Sequence, residues 1–321
     1  MHLVTYMRLS VTDRCNERCA YCLPHDVTVE WLPKGQILTY EEILRVARVA
    51  TSLGVTKFRI TGGEPLVRKN VADLISELNK LAGVTDIGLS TNATLLAPLA
   101  DKLRAAGVRR VNISLDTLNP DRYHELTGTG RLSDCLAGID AALATGLQPK
   151  LNCVLMKGKN DAELLDLIEF AAGKRLPLRF IEMMPLSTSE VLTDENFLSI
   201  AHARQLIARR YDLTPADVKL GNGPAVYYQV NGLPIHLGFI GAMTNLHFCE
   251  SCNKVRLTAD GKLRPCLGSH LEYDLKPVLR AADSTDAQLR EVFLQTLHNK
   301  PAEHEFRANY VPGRKMVAIG G

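Results

Sequence analysis

Short β-type runs alternate with segments of helical periodicity from residue 8 to about residue 184. This alternation is typical of parallel βα units, because a crossover helix returns the chain to the edge where the next parallel strand starts. We predict strands at residues 8–11, 57–60, 86–90, 111–115, 149–155 and 178–183, and helices at residues 40–53, 71–81, 95–106, 132–145 and 162–174. Six repeats are fewer than a closed eight-stranded barrel needs, so a doubly wound sheet and a partial barrel both remain open.

The pattern changes after Pro185 to a polar loop, one helix and short strands that end at glycine turns. We predict helices at residues 200–211 and 286–298, and strands at residues 225–230, 235–240, 254–258 and 262–265. We therefore expect an α/β domain over residues 1–185 and a smaller α+β extension over residues 186–321.

The composition is that of an ordinary globular protein, with 46% hydrophobic residues in a chain of 321. The net charge of +3 arises from 38 basic and 35 acidic residues without a polybasic run, so it gives no reason to expect nucleic-acid binding. The first residues carry neither a charged leader nor a long apolar stretch, and no later run has membrane-spanning length. We expect a cytoplasmic protein that binds neither nucleic acid nor membrane.

Six of the eight cysteines form two groups of three, which are Cys15, Cys19 and Cys22, and Cys249, Cys252 and Cys266. A structural zinc usually has four protein ligands, whereas three thiolates on a cubane iron–sulfur cluster leave one iron free to bind a ligand. Two such irons suggest two bound small molecules. In a reducing cytosol we expect clustered cysteines to bind metal, and Cys135 and Cys153 to be small buried hydrophobic residues.

The first cysteine group directly follows the first predicted strand, so it lies in the loop at the carboxyl end, where barrel enzymes place their chemistry. A zinc site with His25 as the fourth ligand is the alternative. Tyr21, inside this group, either packs over a cluster or ligand or is simply a buried tyrosine.

Two glycines, Gly62 and Gly63, follow the second predicted strand. Without side chains they let a ligand approach the backbone closely, and Glu64 is able to accept a hydrogen bond from an ammonium group. The segment is also compatible with an ordinary turn between a strand and a helix. Its position beside the cysteine loop favours a ligand site.

The second cysteine group lies on a predicted hairpin, whose Asp260-Gly261 turn returns Cys266 to the other two cysteines. A zinc ribbon closed by His247 or His270 is the alternative.

Basic residues recur on the predicted strands, at Arg8, Lys57, Arg59, Lys150, Arg179, Lys254 and Arg256. Lys57 and Arg59 are two residues apart and therefore share a face of their strand. Each basic residue is also compatible with a solvated strand end. Several cations inside a barrel require a compensating anion, so their recurrence indicates a polyanionic ligand such as a triphosphate.

The first cysteine group, taken with Gly62-Gly63-Glu64, resembles the radical S-adenosylmethionine superfamily. The resemblance implies an α/β fold, a partial six-stranded (βα) barrel of the TIM-like type. It also implies a cluster whose open iron binds the amino and carboxylate groups of S-adenosylmethionine, which is then cleaved reductively to a 5'-deoxyadenosyl radical.

Nearly the whole chain resembles the GTP 3',8-cyclase family of molybdenum cofactor biosynthesis. The similar segments are residues 8–16, 58–66, 111–116 and 179–185, the second cysteine group and the terminal Gly320-Gly321. The resemblance implies a lyase that converts GTP to 3',8-cyclo-7,8-dihydroguanosine 5'-triphosphate, with two [4Fe-4S] clusters and S-adenosylmethionine as cofactors.

The same resemblance implies roles for single residues. The expected S-adenosylmethionine contacts are Tyr21, Gly62, Gly63, Glu64, Ser114 and Met184. The expected GTP contacts are Arg8, Lys57, Arg59, Ser90, Lys150, Arg179, Lys254 and Arg256. The second cluster is expected to bind the guanine ring through its open iron, and Gly320 and Gly321 to enter the active site.

Three positions depart from the family pattern. Lys254 stands where the family usually has arginine, so a bidentate contact becomes a point charge. Ser90 replaces a threonine but keeps the hydroxyl group, and Asn92-Ala93 replaces the usual Asn-Gly.

The implied partners are GTP as substrate, a cyclic pyranopterin monophosphate synthase that takes the product, and a reductase or flavodoxin-type electron donor. The expected oligomeric state is a monomer or a homodimer. Two alternatives remain open on the sequence: a radical enzyme with an auxiliary cluster that acts on a peptide, and a zinc-stabilised interaction or nucleic-acid module.

Overall fold

One sheet contains all the strands in residues 3–24, 28–186, 192–306 and 310–320, which are the residues described by the computed structural model. In chain order the strands are β1 (Tyr6–Ser10), β2 (Lys57–Thr61), β3 (Asp86–Thr91), β4 (Arg110–Ser114), β5 (Gln148–Leu155), β6 (Leu178–Glu182), β7 (Leu213–Pro215), β8 (Val226–Val230), β9 (His236–Ile240), β10 (Lys254–Leu257), β11 (Lys262–Arg264) and β12 (Tyr273–Asp274). Their order in the sheet is β12-β11-β10-β1-β2-β3-β4-β5-β6-β9-β8-β7.

The six predicted βα strands pair in chain order from β1 to β6, all parallel. A doubly wound sheet reverses its strand order at a switch point, and no reversal occurs here. Among the described strands, β12 and β7 lie at opposite ends of the sheet and do not pair with each other. The architecture is therefore an open α/β barrel, and the six predicted strands are confirmed to within two residues at each end.

The C-terminal extension lengthens the barrel wall on both sides. Strand β10 pairs parallel to β1, with Arg256 beside Arg8, and β9 pairs parallel to β6, with Gly238 beside Arg179. Beyond them, β11 and β12 on one side and β8 and β7 on the other are antiparallel. The barrel wall therefore contains strands from both halves of the chain.

Ten α-helices are present in the described residues: α1 (Tyr40–Ser52), α2 (Val71–Asn79), α3 (Ala100–Ala105), α4 (Pro120–Thr127), α5 (Leu132–Ala144), α6 (Leu164–Gly173), α7 (Ile200–Ile207), α8 (Lys276–Arg280), α9 (Asp286–His298) and α10 (Met316–Ile319). Single 3-10 turns occupy Lys34–Gln36, Pro65–Val67, Ala97–Leu99 and Asp161–Glu163. The helix predicted at residues 95–106 is therefore a 3-10 turn followed by a short α-helix. Helix α4 was not predicted, although Asn119 caps it and Pro120 occupies its first position.

Helix α1 shows how the barrel is covered. It begins with a capping box between Thr39 and Glu42 and buries one apolar face that includes Ile43 and Val46. Each such side chain contributes roughly 1.5–3 kcal/mol on burial. The same helix also contacts the C-terminal extension. Arg45 Nε lies 2.8 Å from Asp286 Oδ1 at the start of α9.

In the part of the chain with described coordinates, every helix is too short or too polar to cross a membrane.

Candidate active site

Most of the predicted ligand-binding residues surround one cavity of about 290 Å³ inside the open barrel. The predicted residues that line it are Arg8, Arg59, Ser90, Ser114, Lys150, Arg179, Met184, Lys254 and Arg256, with all three cysteines of the second group. Tyr21, Lys57, Gly62, Gly63, Glu64, Gly320 and the first cysteine group are not among its lining residues, and Gly321 lies outside the described residues.

Strand register brings the cations together. Arg8 on β1 lies between Arg59 on β2 and Arg256 on β10. Side chains in register on neighbouring strands project to the same face, so these three guanidinium groups share the inner wall. On the far side, Lys150 lies on β5, and Arg179 lies on β6 beside Asn152 of β5.

Because these cations are buried close together, they favour the binding of an anion. Arg59, Lys150 and Arg179 are only 5%, 8% and 6% exposed. Burial, with the nearby Arg179 as the next cause, lowers the pKa of Lys150 to about 7. Burial likewise lowers the pKa of Arg8 to about 10 and that of Arg256 to about 9. A bound polyanion removes this cost by neutralising the charges.

Two of these arginines differ in their protein contacts. Arg59 Nε donates to the Tyr6 hydroxyl at 2.9 Å, and its Nη1 donates to the Leu89 carbonyl at 2.8 Å. Arg179 Nε and Nη2 are buried without a hydrogen-bond partner among the described residues. Buried donors are rarely left unpaired, so these two nitrogens favour an anionic ligand next to Arg179.

The second cysteine group opens onto the same cavity and is held by a lysine that the sequence did not suggest. Lys300 Nζ donates to the carbonyl oxygens of Pro265 and Lys254 at 2.7 and 2.9 Å, and lies 3.5 Å from Cys252 Sγ. The turn at Gly261, where φ is 83°, returns Cys266 toward Cys249 and Cys252, as predicted. Lys254 Nζ lies 5.8 Å from the Tyr6 ring centroid.

The zinc alternatives find no support in the structure. His247 bonds on the surface to Glu250 at 2.6 Å, and His270 stacks on the Tyr310 ring at 5.0 Å. Within the described ranges, no three His, Cys, Asp or Glu side chains approach closely enough to hold a single metal ion. His25 lies outside those ranges.

The first cysteine group forms the loop after β1, and its three thiols lie near one another. The Cys22 N–H donates to the Cys19 carbonyl at 2.8 Å, and the Glu17 N–H donates to Cys15 Sγ at 3.4 Å. Burial raises the pKa of the Cys22 thiol to about 12 and raises the pKa of the other two. Three thiols in one loop, none of them in a disulfide, fit a multi-iron cluster, whose coordination removes their protons.

The paired glycines allow a close contact between two protein loops. A Cβ atom at Gly63 would lie 2.4 Å from the Arg14 carbonyl oxygen, and one at Gly62 would lie 2.6 Å from that of Thr12. The Gly63 N–H donates to the Thr12 carbonyl at 2.8 Å. The atoms that closely approach these two glycines therefore belong to the first cysteine loop.

Glu64 is buried and ties β2 to β3. Its carboxylate accepts from the Thr91 hydroxyl and from the Asn92 N–H, each at 2.8 Å. Burial raises the pKa of Glu64 to about 7.

Two further acids near the first cysteine group were missed as functional residues. Asp116 accepts from the Tyr21 hydroxyl and the Val154 N–H at 2.8 and 2.7 Å, and burial raises its pKa to about 6. Glu17 accepts from the Tyr123 hydroxyl at 3.1 Å. An acid between the first two cysteines was visible in the sequence, but its burial was not. Cys135 and Cys153 are fully buried, which confirms the prediction for both.

The fold and the cysteine loop define an enzyme of the radical S-adenosylmethionine type, and comparison with known proteins agrees. Residues 9–171 match the Radical SAM superfamily model, and residues 176–306 match the Molybdenum Cofactor Synthesis C model. A GTP 3',8-cyclase of Thermodesulfovibrio yellowstonii is 43% identical over 99% of this chain and 98% of its own length. That of Moorella thermoacetica is 44% identical over the same shares. The chain therefore belongs to the GTP 3',8-cyclase family.

Membership of the superfamily gives the chain a [4Fe-4S] cluster and S-adenosylmethionine as cofactors. Among solved structures, Streptococcus suis SuiB bound to the precursor peptide SuiA is similar, with a TM-score of 0.62 and 16% identity. The similarity covers 97% of this chain and 76% of that chain. At this identity it shows the fold alone.

Proposed function

We propose that this chain converts GTP to 3',8-cyclo-7,8-dihydroguanosine 5'-triphosphate, the first step of molybdopterin assembly. The observation that carries the proposal is the single cavity that combines buried cations with the second cysteine group. The cations fit a triphosphate, and the three cysteines fit a cluster with one iron free for a purine ring. The curated relatives that carry the cyclase name cover nearly the full chain.

Cys15, Cys19 and Cys22 are the proposed ligands of the first [4Fe-4S] cluster, which when bound supplies the electron that cleaves S-adenosylmethionine. The proposed S-adenosylmethionine contacts are Tyr21, Gly62, Gly63, Glu64, Ser114 and Met184. In the net reaction the C3' hydrogen of the ribose leaves in 5'-deoxyadenosine, and the C8=N7 double bond of guanine opens as C3' bonds to C8. One electron from the reductant and one proton from solvent complete N7–H. The barrel walls keep water and oxygen away from the reacting carbon atoms.

Cys249, Cys252 and Cys266 are the proposed ligands of a second [4Fe-4S] cluster that faces the guanine ring. The proposed GTP-binding residues are Arg8, Lys57, Arg59, Ser90, Lys150, Arg179, Lys254 and Arg256. Residues 1–185 then provide the radical chemistry, and residues 186–321 provide the guanine end of the site and the terminal Gly320-Gly321. We predict that the product passes to a cyclic pyranopterin monophosphate synthase. We also predict a reductase or flavodoxin-type electron donor and a monomeric or homodimeric state.

Anaerobic reconstitution tests the proposal. The purified protein should bind about eight irons per chain and, with GTP, S-adenosylmethionine and a strong reductant, yield 5'-deoxyadenosine and the cyclised nucleotide. Cys266→Ala should retain about four irons and lose the cyclised nucleotide. Cys135→Ala, at a buried cysteine outside both groups, is the matched control and should keep all the iron. A colourless protein that contains zinc contradicts the proposal.

GTP binding tests the substrate separately. Arg59→Ala should weaken GTP binding roughly 10- to 100-fold, because it removes a charge-assisted contact from a buried site. Arg104→Ala, on the exposed side of α3, is the control and should bind normally. If 5'-deoxyadenosine forms but GTP neither binds nor cyclises, the radical enzyme is correct and the substrate is wrong.

A further inference from the structure

A short loop of the extension lies against the basic side of the cavity. It consists of Gly221, Asn222 and Gly223, between β7 and β8, and all three residues line the cavity. We refer to it as the 221–223 loop. Neither the motifs nor the family resemblance assigned it a role.

Each residue of the 221–223 loop lies next to a different cation. The position of a Cβ atom on Gly221 is 3.1 Å from Lys150 Nζ, and that on Gly223 is 3.7 Å from Arg179 Nη1. Asn222 Oδ1 accepts a hydrogen bond from Lys57 Nζ at 2.8 Å. The loop therefore lies beside three of the basic residues that we assign to the substrate, and it hydrogen-bonds to one of them.

The contact with Lys57 fixes the orientation of the Asn222 amide. An ammonium group only donates, so the atom that faces Lys57 is the amide oxygen. The amide nitrogen, Nδ2, is then left buried without a hydrogen-bond partner among the described residues. Arg179 also has unpaired buried nitrogens in this region. Unpaired buried donors of this kind call for an acceptor that the described residues do not supply.

The two glycines keep this region accessible. Gly221 has a φ of 148°, which side-chain-bearing residues rarely adopt, and any side chain there approaches the Lys150 ammonium group. The loop therefore places backbone and one amide beside the cations without covering them.

We propose that the 221–223 loop is part of the triphosphate site, with Asn222 Nδ2 donating a hydrogen bond to a phosphate oxygen while Oδ1 holds Lys57 in place. The proposal rests on the proposed function in taking GTP as the ligand. Its recognition chemistry is that of a polyphosphate, which recruits neutral donors as well as cations.

Two substitutions at one position test the assignment. Asn222→Ala removes both contacts and should weaken GTP binding roughly tenfold, with little effect on guanosine. Asn222→Asp keeps an acceptor for Lys57 but replaces the donor with a negative charge, so it should weaken GTP binding more than Asn222→Ala does. If the residue serves only to hold Lys57, Asn222→Ala should cause no further loss of GTP binding in a Lys57→Met background, and this result overturns the proposal.

Binding of inorganic tripolyphosphate tests the loop assignment independently of whether GTP is the substrate. Equilibrium binding of tripolyphosphate, GTP and guanosine is measured on the anaerobically reconstituted protein and on each variant. Binding of tripolyphosphate that is lost in both Asn222 variants supports the loop assignment even if GTP itself does not bind. A failure of tripolyphosphate to bind, or equal losses for guanosine and GTP, overturns it.

A glycine pair provides the matched control. Gly221→Ala should weaken tripolyphosphate binding, because the new methyl group approaches Lys150. Gly232→Ala also introduces a side chain at a positive φ, which is 82° there, but has no atom within 4 Å of the added methyl group. It should bind tripolyphosphate normally, and an equal loss in both variants contradicts a specific role for the loop.

Discussion

Arg256 Nη1 donates a hydrogen bond of 2.6 Å to the carbonyl oxygen of Gly320. Arg256 belongs to β10 on the cavity wall, whereas Gly320 follows the last helix of the chain. Three residues earlier, the Val317 N–H hydrogen-bonds the Cys22 thiol. The terminal segment therefore contacts both β10 on the cavity wall and the first cysteine group.

The first prediction concerns Gly320, whose φ is 87°. A Cβ atom there would lie 2.8 Å from Ser10 Cβ, so Gly320→Ala should displace the terminal segment. We expect kcat to fall at least tenfold while the iron content remains unchanged, because a displacement of about 1 Å near a reacting centre is costly.

Gly83→Ala is the control, since φ is 89° and the nearest atom lies at 3.9 Å. Steady-state assay of the cyclised nucleotide gives kcat for both variants. Equal activity of Gly320→Ala and Gly83→Ala would mean that the terminal segment does not position the reacting groups.

The second prediction concerns pH. Burial and the nearby arginines lower the pKa of Lys150 to about 7 in the folded, ligand-free protein, so Lys150 loses its charge as the pH rises through 7. A bound polyphosphate favours the charged form and raises this pKa again. Binding near pH 8 should therefore take up a proton, and affinity should fall from pH 6 to pH 8.

Calorimetric titration in buffers of different ionisation enthalpy measures this proton uptake. Lys150→Met should bind more weakly throughout and lose the proton uptake near pH 8. Proton uptake that persists in Lys150→Met assigns the titration to another group.

The same shift has a consequence for folding. The unfolded chain holds the Lys150 proton up to its ordinary pKa near 10.4, so between pH 7 and 10 it binds more protons than the folded state. The contribution of Lys150 to the free energy of unfolding should rise with pH across this interval. Denaturant unfolding of the metal-free protein and of Lys150→Met, compared at each pH, should show this difference.

The third prediction concerns Lys300, which holds the second cysteine group. Lys300→Met leaves the carbonyl oxygens of Pro265 and Lys254 without this donor and removes the contact with Cys252. We expect the free energy of unfolding to fall by about 1–3 kcal/mol, and the second cluster to be lost selectively.

Iron analysis and electron paramagnetic resonance of the reduced protein check this outcome. Lys102→Met removes an exposed ion pair with Asp73 and should have little effect on either measurement. Full retention of both cluster signals in Lys300→Met would show that the cysteines are positioned without Lys300.

The fourth prediction concerns the glycines after β2. Gly63→Ala places a methyl group against the Arg14 carbonyl, so the first cysteine loop must move. We expect a loss of about 1–3 kcal/mol in stability and a loss of the first cluster with retention of the second. Gly35→Ala, where no atom lies within 4 Å, is the control. Normal iron binding by Gly63→Ala would contradict the packing of these two loops.

Much of the architecture could be predicted because it is encoded locally. The six barrel strands and α9 follow from runs of apolar residues, and the cysteine spacings are visible within short segments. Helix α4 was missed despite its Asn119-Pro120 start, because it has only eight residues and most of them are polar. The predicted substrate cations line one cavity, except for Lys57, whose ammonium group contacts Asn222.

What the sequence by itself determined is ten of the twelve described strands, the two groups of three cysteines and the chemical types available to a site. The tertiary structure alone decided which distant residues meet: Arg8 with Arg256, Lys300 with Cys252, and Asn222 with Lys57. Local periodicity reflects the geometry of one helix or strand, whereas these contacts depend on how β9, β10 and the loops of the extension pack against the barrel. Such packing is settled by the whole chain, since it joins surfaces more than a hundred residues apart in some cases.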